Sequence, residues 1–240
     1  MEYKKNQKYF KTANLLFLAG LPVVIAGLIL AMLLPRGQMM IGVAIILAGI
    51  VFIIACLTSG MKDSDIDAAV ATHMNTIEAD AAQLFKFPRR YEVLRRGVIL
   101  GSYDYTRITE GVPVKRGKDM KYRTEYYCGL VLNFTNDGLR ILSKKFSVLK
   151  DEFDQENLHF TWEEIESAKL DEQIIEFTMV NGKTNKVPAG ILKITLKSGQ
   201  EFKYCVVNNS DVDDTIDIIY RQTIRVKKEE LKNREQEKGY

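Results

Sequence analysis

The sequence predicts an α+β protein in which a transmembrane helical hairpin precedes a mostly antiparallel β domain that ends in a helix. Residues 12–61 contain one charged residue, Arg36, although 27% of the whole chain is charged. From residue 91 onward apolar residues alternate as they do in strands, and a helical spacing returns at Ser210. A nearly uncharged block beside a charged remainder is typical of a membrane anchor joined to a water-exposed domain.

The anchor is predicted from two uncharged apolar runs, residues 15–34 and 39–57. The hydrocarbon core of a bilayer is about 30 Å thick and needs roughly 20 apolar residues in a helix. Only residues 35–38 connect the runs, which is too short for anything but an antiparallel turn. We therefore predict a two-helix transmembrane hairpin over residues 15–57.

Glycines recur at a spacing of seven in both runs, which places each pair on one helix face. Small residues on facing surfaces let membrane helices approach closely. The alternative is that glycine is simply common in membrane helices. The predicted helix-packing residues are Gly20, Gly27, Gly42 and Gly49.

Basic residues beside the spans predict the orientation. The N-terminal segment, residues 1–14, has four lysines, whereas the connecting loop has only Arg36. Basic flanks stay in the cytoplasm, so two spans place both termini on the cytoplasmic side. The predicted location is therefore the cell membrane. A cleaved signal peptide, the alternative, requires a shorter apolar core.

A linker helix is predicted over residues 63–86. Apolar residues recur there at intervals of three and four, from Ile66 to Leu84. This stripe predicts packing on the water-exposed domain or, alternatively, a short coiled coil. His73 lies beside the stripe, where we expect a structural residue rather than a ligand. Phe87 and Pro88 end the helix.

The β domain is predicted over residues 87–226, with hairpin turns at Asp137-Gly138 and Asn181-Gly182. Ser210 and Asp213 resemble a capping box that begins the last helix. Residues 227–240 are a charged tail, either a solvated helical extension or frayed. The predicted strands cover residues 98–100, 122–134, 139–142, 160–170, 174–180, 191–196 and 202–207.

The order of turns and apolar positions over residues 91–225 resembles bacterial pleckstrin-homology-like and GRAM-like domains. It runs GLVLNFTNDGLRI, FTWEEIESAKL and GILKITLKSGQEFKYCVV before an amphipathic helix. The resemblance implies a pleckstrin-homology-like barrel or sandwich that binds a partner. The insertion-like residues 109–123 depart from that pattern. The matching positions are Thr135, Asp137, Gly138, Leu139, Trp162, Ile165, Ile194, Gly199 and Phe202.

Catalytic chemistry is not predicted. The two histidines, His73 and His159, lie in different segments, and the three cysteines form no CxxC pair. Four aspartates at residues 211–217 suit a helix N-terminus. We therefore predict no enzyme, no metal and no cofactor. Nucleic-acid binding is also not expected, because aromatic residues are not interleaved with the basic ones as stacking platforms.

Charge is strongly polarised along the chain. Residues 86–123 contain eleven basic and four acidic residues, whereas residues 151–176 contain ten acidic residues and one lysine. The basic segment is predicted to face the anionic inner leaflet. The alternative is that the two segments neutralise each other in the fold. The predicted lipid- or partner-binding residues are Arg89, Arg90, Arg95, Arg96, Lys115, Arg116 and Lys118.

Two functions fit these patterns. The first is a membrane-anchored, non-enzymatic binding or scaffold protein whose cytoplasmic domain recognises a protein partner or anionic phospholipid headgroups. The second is an accessory subunit of a larger membrane transport or secretion complex, assembled through the glycine faces and the linker helix.

Overall fold

Helices at both ends of the chain flank three antiparallel sheets, so the predicted α+β class is confirmed. Two compact units divide the chain, Glu2–Ile66 and Asp67–Tyr240. The fold comes from a computed structural model, which describes residues 3–10, 17–35, 37–58, 61–85, 93–179 and 182–238.

Five α-helices occur in the described residues. The first lies in the basic N-terminal segment, and Tyr9 on it donates a hydrogen bond of 2.7 Å to Asp63. The next two are the apolar helices, and the fourth is the predicted linker helix. The helices are α1 (Tyr3–Phe10), α2 (Phe17–Leu33), α3 (Met39–Thr58), α4 (Asp63–Leu84) and α5 (Ser210–Lys238).

Helices α2 and α3 pack against each other as an antiparallel pair, with the predicted glycines at the contact. A methyl group at Gly42 would lie 2.5 Å from the backbone nitrogen of Ala31. At Gly27 it would lie 2.8 Å from the backbone nitrogen of Ile46. Gly49 is equally close to Val24, and Gly20 to Ile53. Any larger residue would push the helices apart.

One helix in the described residues is long and apolar enough to cross a membrane, through Met39–Cys56 of α3. Helix α2 is equally apolar but has 17 residues. Residues 15 and 16, which the sequence assigned to the first span, lie outside the described part. The span through α2 therefore stays a prediction.

The described residues of the β domain form nine strands. They form a four-stranded sheet in the order β1-β4-β5-β6, a two-stranded hairpin β2-β3, and a three-stranded sheet in the order β7-β8-β9. Every pairing is antiparallel. The strands are β1 (Val93–Tyr103), β2 (Val114–Arg116), β3 (Tyr122–Thr124), β4 (Tyr126–Thr135), β5 (Gly138–Ser147), β6 (Phe153–Thr161), β7 (Ile165–Thr178), β8 (Thr184–Leu196) and β9 (Glu201–Val206).

The main core lies between the four-stranded and three-stranded sheets. Leu130 and Leu132 of β4 meet Leu192 and Ile194 of β8, and all four are fully buried. Helix α5 joins this core through buried Val212, Ile219 and Val226. The predicted C-terminal helix thus seals the two sheets with its apolar face.

Helix α4 packs on the opposite, outer face of the four-stranded sheet. Its Ile77 is buried, and His73 contacts Phe146 of β5 edge-on at 4.5 Å between ring centroids. Gly129 of β4 allows the close approach, since a methyl group there would lie 2.5 Å from the Met74 sulfur. The linker helix therefore packs on the domain, the first of its two predicted outcomes.

Burial of His73 between α4 and the sheet lowers the pKa of its imidazole, and the nearby Lys144 lowers it further. The docked helix therefore favours the neutral ring. A lowered histidine pKa contributes stability at neutral pH that is lost as the pH falls through the ordinary value of 6.5 toward the folded one.

Two strand predictions are wrong. Residues 160–170 are not one strand, because a turn after Thr161 separates β6 from β7. Glu164 closes this turn by accepting the Thr161 backbone N–H at 2.7 Å. Residues 122–134 are interrupted at Glu125, whose buried carboxylate accepts a hydrogen bond from Ser147 and pairs with Lys150.

The start of α5 also differs from the prediction. Asn209, not Ser210, caps the helix by accepting the Val212 backbone N–H at 3.2 Å. At the other end the helix continues to Lys238, so the described part of the charged tail is a helical extension.

Replacing Gly129 with alanine is expected to loosen α4, because the new methyl group would collide with Met74. Hydrogen exchange of the full-length protein measures this as faster exchange of the α4 amides. The double variant G129A/M74A should regain part of the protection, since the colliding side chain is gone. Unchanged α4 exchange in G129A would contradict this packing.

Candidate ligand-binding surface

An ordered excursion, residues 104–125, lies between β1 and β4, where the sequence indicated an insertion. It begins with a 3₁₀ helix, Tyr105–Glu110, and continues into the β2–β3 hairpin. Asp104 caps the 3₁₀ helix by accepting the Thr106 N–H, and Gly111 ends it in the left-handed conformation at φ 82°. Both ends are thus fixed by residues suited to caps.

A small second core supports this excursion. Tyr122 of β3 packs edge-on against Phe177 of β7, with ring centroids 5.4 Å apart. Ile108 and Val187 complete the buried cluster. The Tyr122 hydroxyl also donates to Asn185 at 3.1 Å. The hairpin is therefore held by the long β7–β8 hairpin rather than free in solvent.

The tip of the hairpin, residues 116–121, is basic and carries one apolar side chain. Arg116, Lys118 and Lys121 are exposed. Met120 is 61% exposed and adopts φ 67°, a conformation that residues with side chains seldom use. The Arg116 guanidinium lies 5.5 Å from the Tyr122 ring centroid. The tip thus presents a methionine among three cations.

Arg123, at the base of the tip, is held by two carboxylates. It is 2% exposed and makes two hydrogen bonds to Asp67 of α4, at 2.9 and 2.6 Å. Two more go to Asp119 of the tip, at 2.9 and 2.8 Å. Tyr103 donates to the same Asp67 at 3.0 Å. We call Asp67, Tyr103, Asp119 and Arg123 the arginine clamp.

The clamp sets the ionisation of its members. Hydrogen bonds from Arg123 lower the pKa of Asp119 to about 2. The stability that the Asp119–Arg123 pair contributes is fully present above pH 3.8, the ordinary pKa of an aspartate, and is lost as the pH falls through about 2. Burial and the Asp67 charge raise the pKa of Tyr103 far above its usual range. At neutral pH Asp119 is therefore ionised and Tyr103 is protonated.

A cavity of about 560 Å³ opens beside the clamp, between α4 and the strands β1 and β3. Tyr103 and Tyr127 line it and meet edge-on at 5.1 Å. Burial raises the pKa of Tyr127 to about 12. Lys121 of the tip also lines the cavity, which therefore adjoins the basic surface.

A second polar cluster lies at Asp104, which is fully buried. Lys145 reaches its carboxylate at 2.9 Å, and the Cys205 thiol donates to it at 3.3 Å. Burial opposes the charge of Asp104, but hydrogen bonds from Thr106, Lys145 and Cys205 outweigh it and lower the pKa. Because Lys145 lies in β5, Cys205 in β9 and Thr106 in the 3₁₀ helix, the buried cluster joins these three elements rather than forming an open site.

The described residues contain no group of three His, Cys, Asp or Glu side chains placed to hold a metal ion. Cys128 and Cys205 are buried free thiols. Burial raises the pKa of Cys128 to about 11, which keeps it protonated and unreactive.

The predicted basic residues do not form one surface. Lys115, Arg116 and Lys118 lie on the hairpin. Arg95 is instead paired with Asp214 and Asp211 at the start of α5, at 3.0 and 3.5 Å. Arg89, Arg90 and the side chain of Arg96 lie outside the described part of the chain.

Sequence reasoning missed two members of the tip, Met120 and Lys121, and the clamp itself. A signal for the tip was present, because residues 117–121 combine a glycine and an aspartate, which favour turns, with two lysines. The clamp gave no local signal, since Asp67 and Arg123 are 56 positions apart.

The comparisons with known proteins give no family or fold assignment. No protein-family model matches the chain, and searches of curated proteins and of solved structures return no significant match.

Replacing Arg123 with lysine is expected to lower the free energy of unfolding by roughly 2 kcal/mol, because an ammonium cannot make paired hydrogen bonds to two carboxylates. Urea unfolding of the full-length protein, followed by fluorescence of the buried Trp162, measures it. Arg221→Lys is the control, since Arg221 is exposed and its ion pair with Asp217 lies on the surface of α5. Equal losses in both variants would contradict a special role for Arg123.

Proposed function

We propose that this chain is a non-enzymatic, membrane-anchored binding protein that recognises anionic lipid headgroups through the tip of its β2–β3 hairpin. The observation that carries the proposal is the tip itself. It presents Arg116, Lys118 and Lys121 around an exposed Met120. The second core and the arginine clamp fix it in place, so little ordering is required on binding.

The proposal includes a two-span anchor formed by α2 and α3. The apolar composition of both helices and their glycine-mediated packing support it. The lysines of the N-terminal segment favour a cytoplasmic N-terminus. Two spans then return the β domain to the cytoplasmic side, where the anionic lipids of the inner leaflet are found.

The proposal also assigns the β domain to the pleckstrin-homology-like class. A four-stranded and a three-stranded antiparallel sheet that share a core, closed by a C-terminal helix, support this assignment. The order of the matching turns supports it as well. In this chain the first two strands of the larger sheet, β1 and β4, are joined by the excursion that bears the basic tip.

The expected attraction is electrostatic, with a short-range apolar contribution. Each basic residue near an anionic surface contributes about 1 kcal/mol, and the attraction decays over about 8–10 Å at physiological salt. Met120 can enter the headgroup region, where burial of its side chain adds to the attraction. Binding should therefore require the tip to lie close to the membrane surface, and it should weaken as the salt concentration rises.

A polarity-sensitive fluorophore on Met120→Cys tests the proposal in the full-length protein. Cys56→Ala serves as the background, because Cys128 and Cys205 are buried. In nanodiscs that contain phosphatidylserine the emission should shift to the blue, and high salt should reverse the shift. Nanodiscs of neutral lipid should give no shift. A probe that responds equally to both lipids, or to neither, would contradict headgroup recognition.

Charge-removing variants sharpen this test. Replacing the three tip cations with glutamine should weaken the interaction by about 3 kcal/mol, a factor of roughly 100. The matched control removes the same charge from the exposed end of α5, and should leave the shift intact. The tip variant is R116Q/K118Q/K121Q, and the control is K227Q/K228Q/K232Q. Loss of the shift in both variants would indicate a general charge effect instead.

A further inference from the structure

The cavity beside the arginine clamp has an apolar wall that is open to solvent. Val70, Ala71 and Met74 of α4 form one side. Ile99 of β1, 38% exposed, and Val207 after β9, 56% exposed, form the other. Apolar side chains that line an open cavity on both sides are suited to cover an apolar ligand.

The clamp residues that line the cavity already bond to one another. Arg123 is bonded to Asp67 and Asp119, and Tyr103 donates to Asp67. Tyr105 donates to the backbone carbonyl of Tyr122 at 2.9 Å. The clamp therefore offers a ligand few further hydrogen bonds, whereas the side-chain amides of Asn75 and Asn209 also line the cavity and provide polar contacts outside the clamp.

Lys121 is the exception among the charged groups that line the cavity. Its ammonium takes part in no ion pair in the described part of the chain, and the side chain is exposed. The ligand that complements these walls therefore has an apolar body and a single anionic group. A carboxylate or phosphate at one end of a hydrocarbon chain meets both requirements.

We propose that this cavity binds the hydrocarbon chain of a single-chain anionic lipid, a fatty acid, with the carboxylate paired to Lys121. The volume of about 560 Å³ lies in the range of about 300–1,000 Å³ typical of sites for one small molecule. The hydrocarbon chain of the fatty acid lies between α4 and β1, and its binding covers Ile99 and Val207. The linker helix thus supplies one wall of the site.

The cavity is a different site from the tip surface that recognises headgroups, although Lys121 belongs to both. A fatty acid could bind here even if the tip never touched a membrane, and the reverse is equally true. The test therefore uses neutral-lipid nanodiscs, in which the tip has no anionic surface to bind.

The test is photo-crosslinking of the full-length protein in such nanodiscs with palmitate that carries a photoactivatable group on its chain. Peptide mass spectrometry should find the label on Met74, Ile99 and Val207, normalised to label on the nanodisc scaffold protein. An excess of plain palmitate should remove it. Label that is confined to α2 and α3 would overturn the proposal.

Two variants fill or alter the cavity. Ala71→Phe puts a ring into it from an exposed helical position and should reduce the label at Ile99 and Val207 about tenfold. Thr72→Phe, its neighbour outside the cavity lining, should not. Val207→Glu provides a second perturbation at an exposed rim position, in case the new ring disturbs α4. Equal labelling of all variants would overturn the site.

A further pair of measurements tests whether the ligand must carry a negative charge. Lys121→Gln should lower the label about fivefold, because one exposed ion pair is lost. The methyl ester of the same probe, which has no charge, should label the unmodified protein as weakly as palmitate labels K121Q. If the ester labels as strongly as the acid, the carboxylate–Lys121 pairing is wrong.

Discussion

Four hydrogen bonds around Arg123 connect the parts of the molecule that bear on function. They join α4, through Asp67, to the basic tip, through Asp119, and the guanidinium is buried between them. A buried cation is tolerated only when its partners satisfy it fully, and the planar fork of arginine allows two carboxylates to do so. The clamp therefore makes the linker helix and the hairpin a single structural element.

Three of the eleven basic residues in the segment 86–123 pair with carboxylates near them in space. Arg95 pairs with Asp214, Arg107 with Glu110 at 2.9 Å, and Arg123 with the carboxylates of the clamp. None of these partners comes from the acidic segment, so the predicted mutual neutralisation of the two segments is wrong for these three residues. The tip presents a local cluster of exposed cations, which is the basis of the proposed headgroup recognition.

Local patterns predicted the parts of the fold that depend on local physics. The two apolar runs, the turn at Asp137-Gly138 and the helix at Ser210 each follow from residue type and spacing. The split at Thr161 was missed because Trp162 fits a strand pattern, while its ring is in fact buried under the turn and donates to Thr135. Strand β2 has only three residues, two of them basic, and gave no periodic signal. The clamp and the cavity depend on how α4 meets the sheet, and no spacing along the chain encodes that.

Native-state hydrogen exchange tests the central claim, that α4 and the hairpin are one element held by Arg123. If the clamp joins them, amides of residues 67–75 and of residues 114–124 will open with the same free energy and the same urea dependence, as members of one cooperative unit do. Opening of α4 at a clearly lower free energy while the hairpin amides stay protected would show that the clamp does not join them.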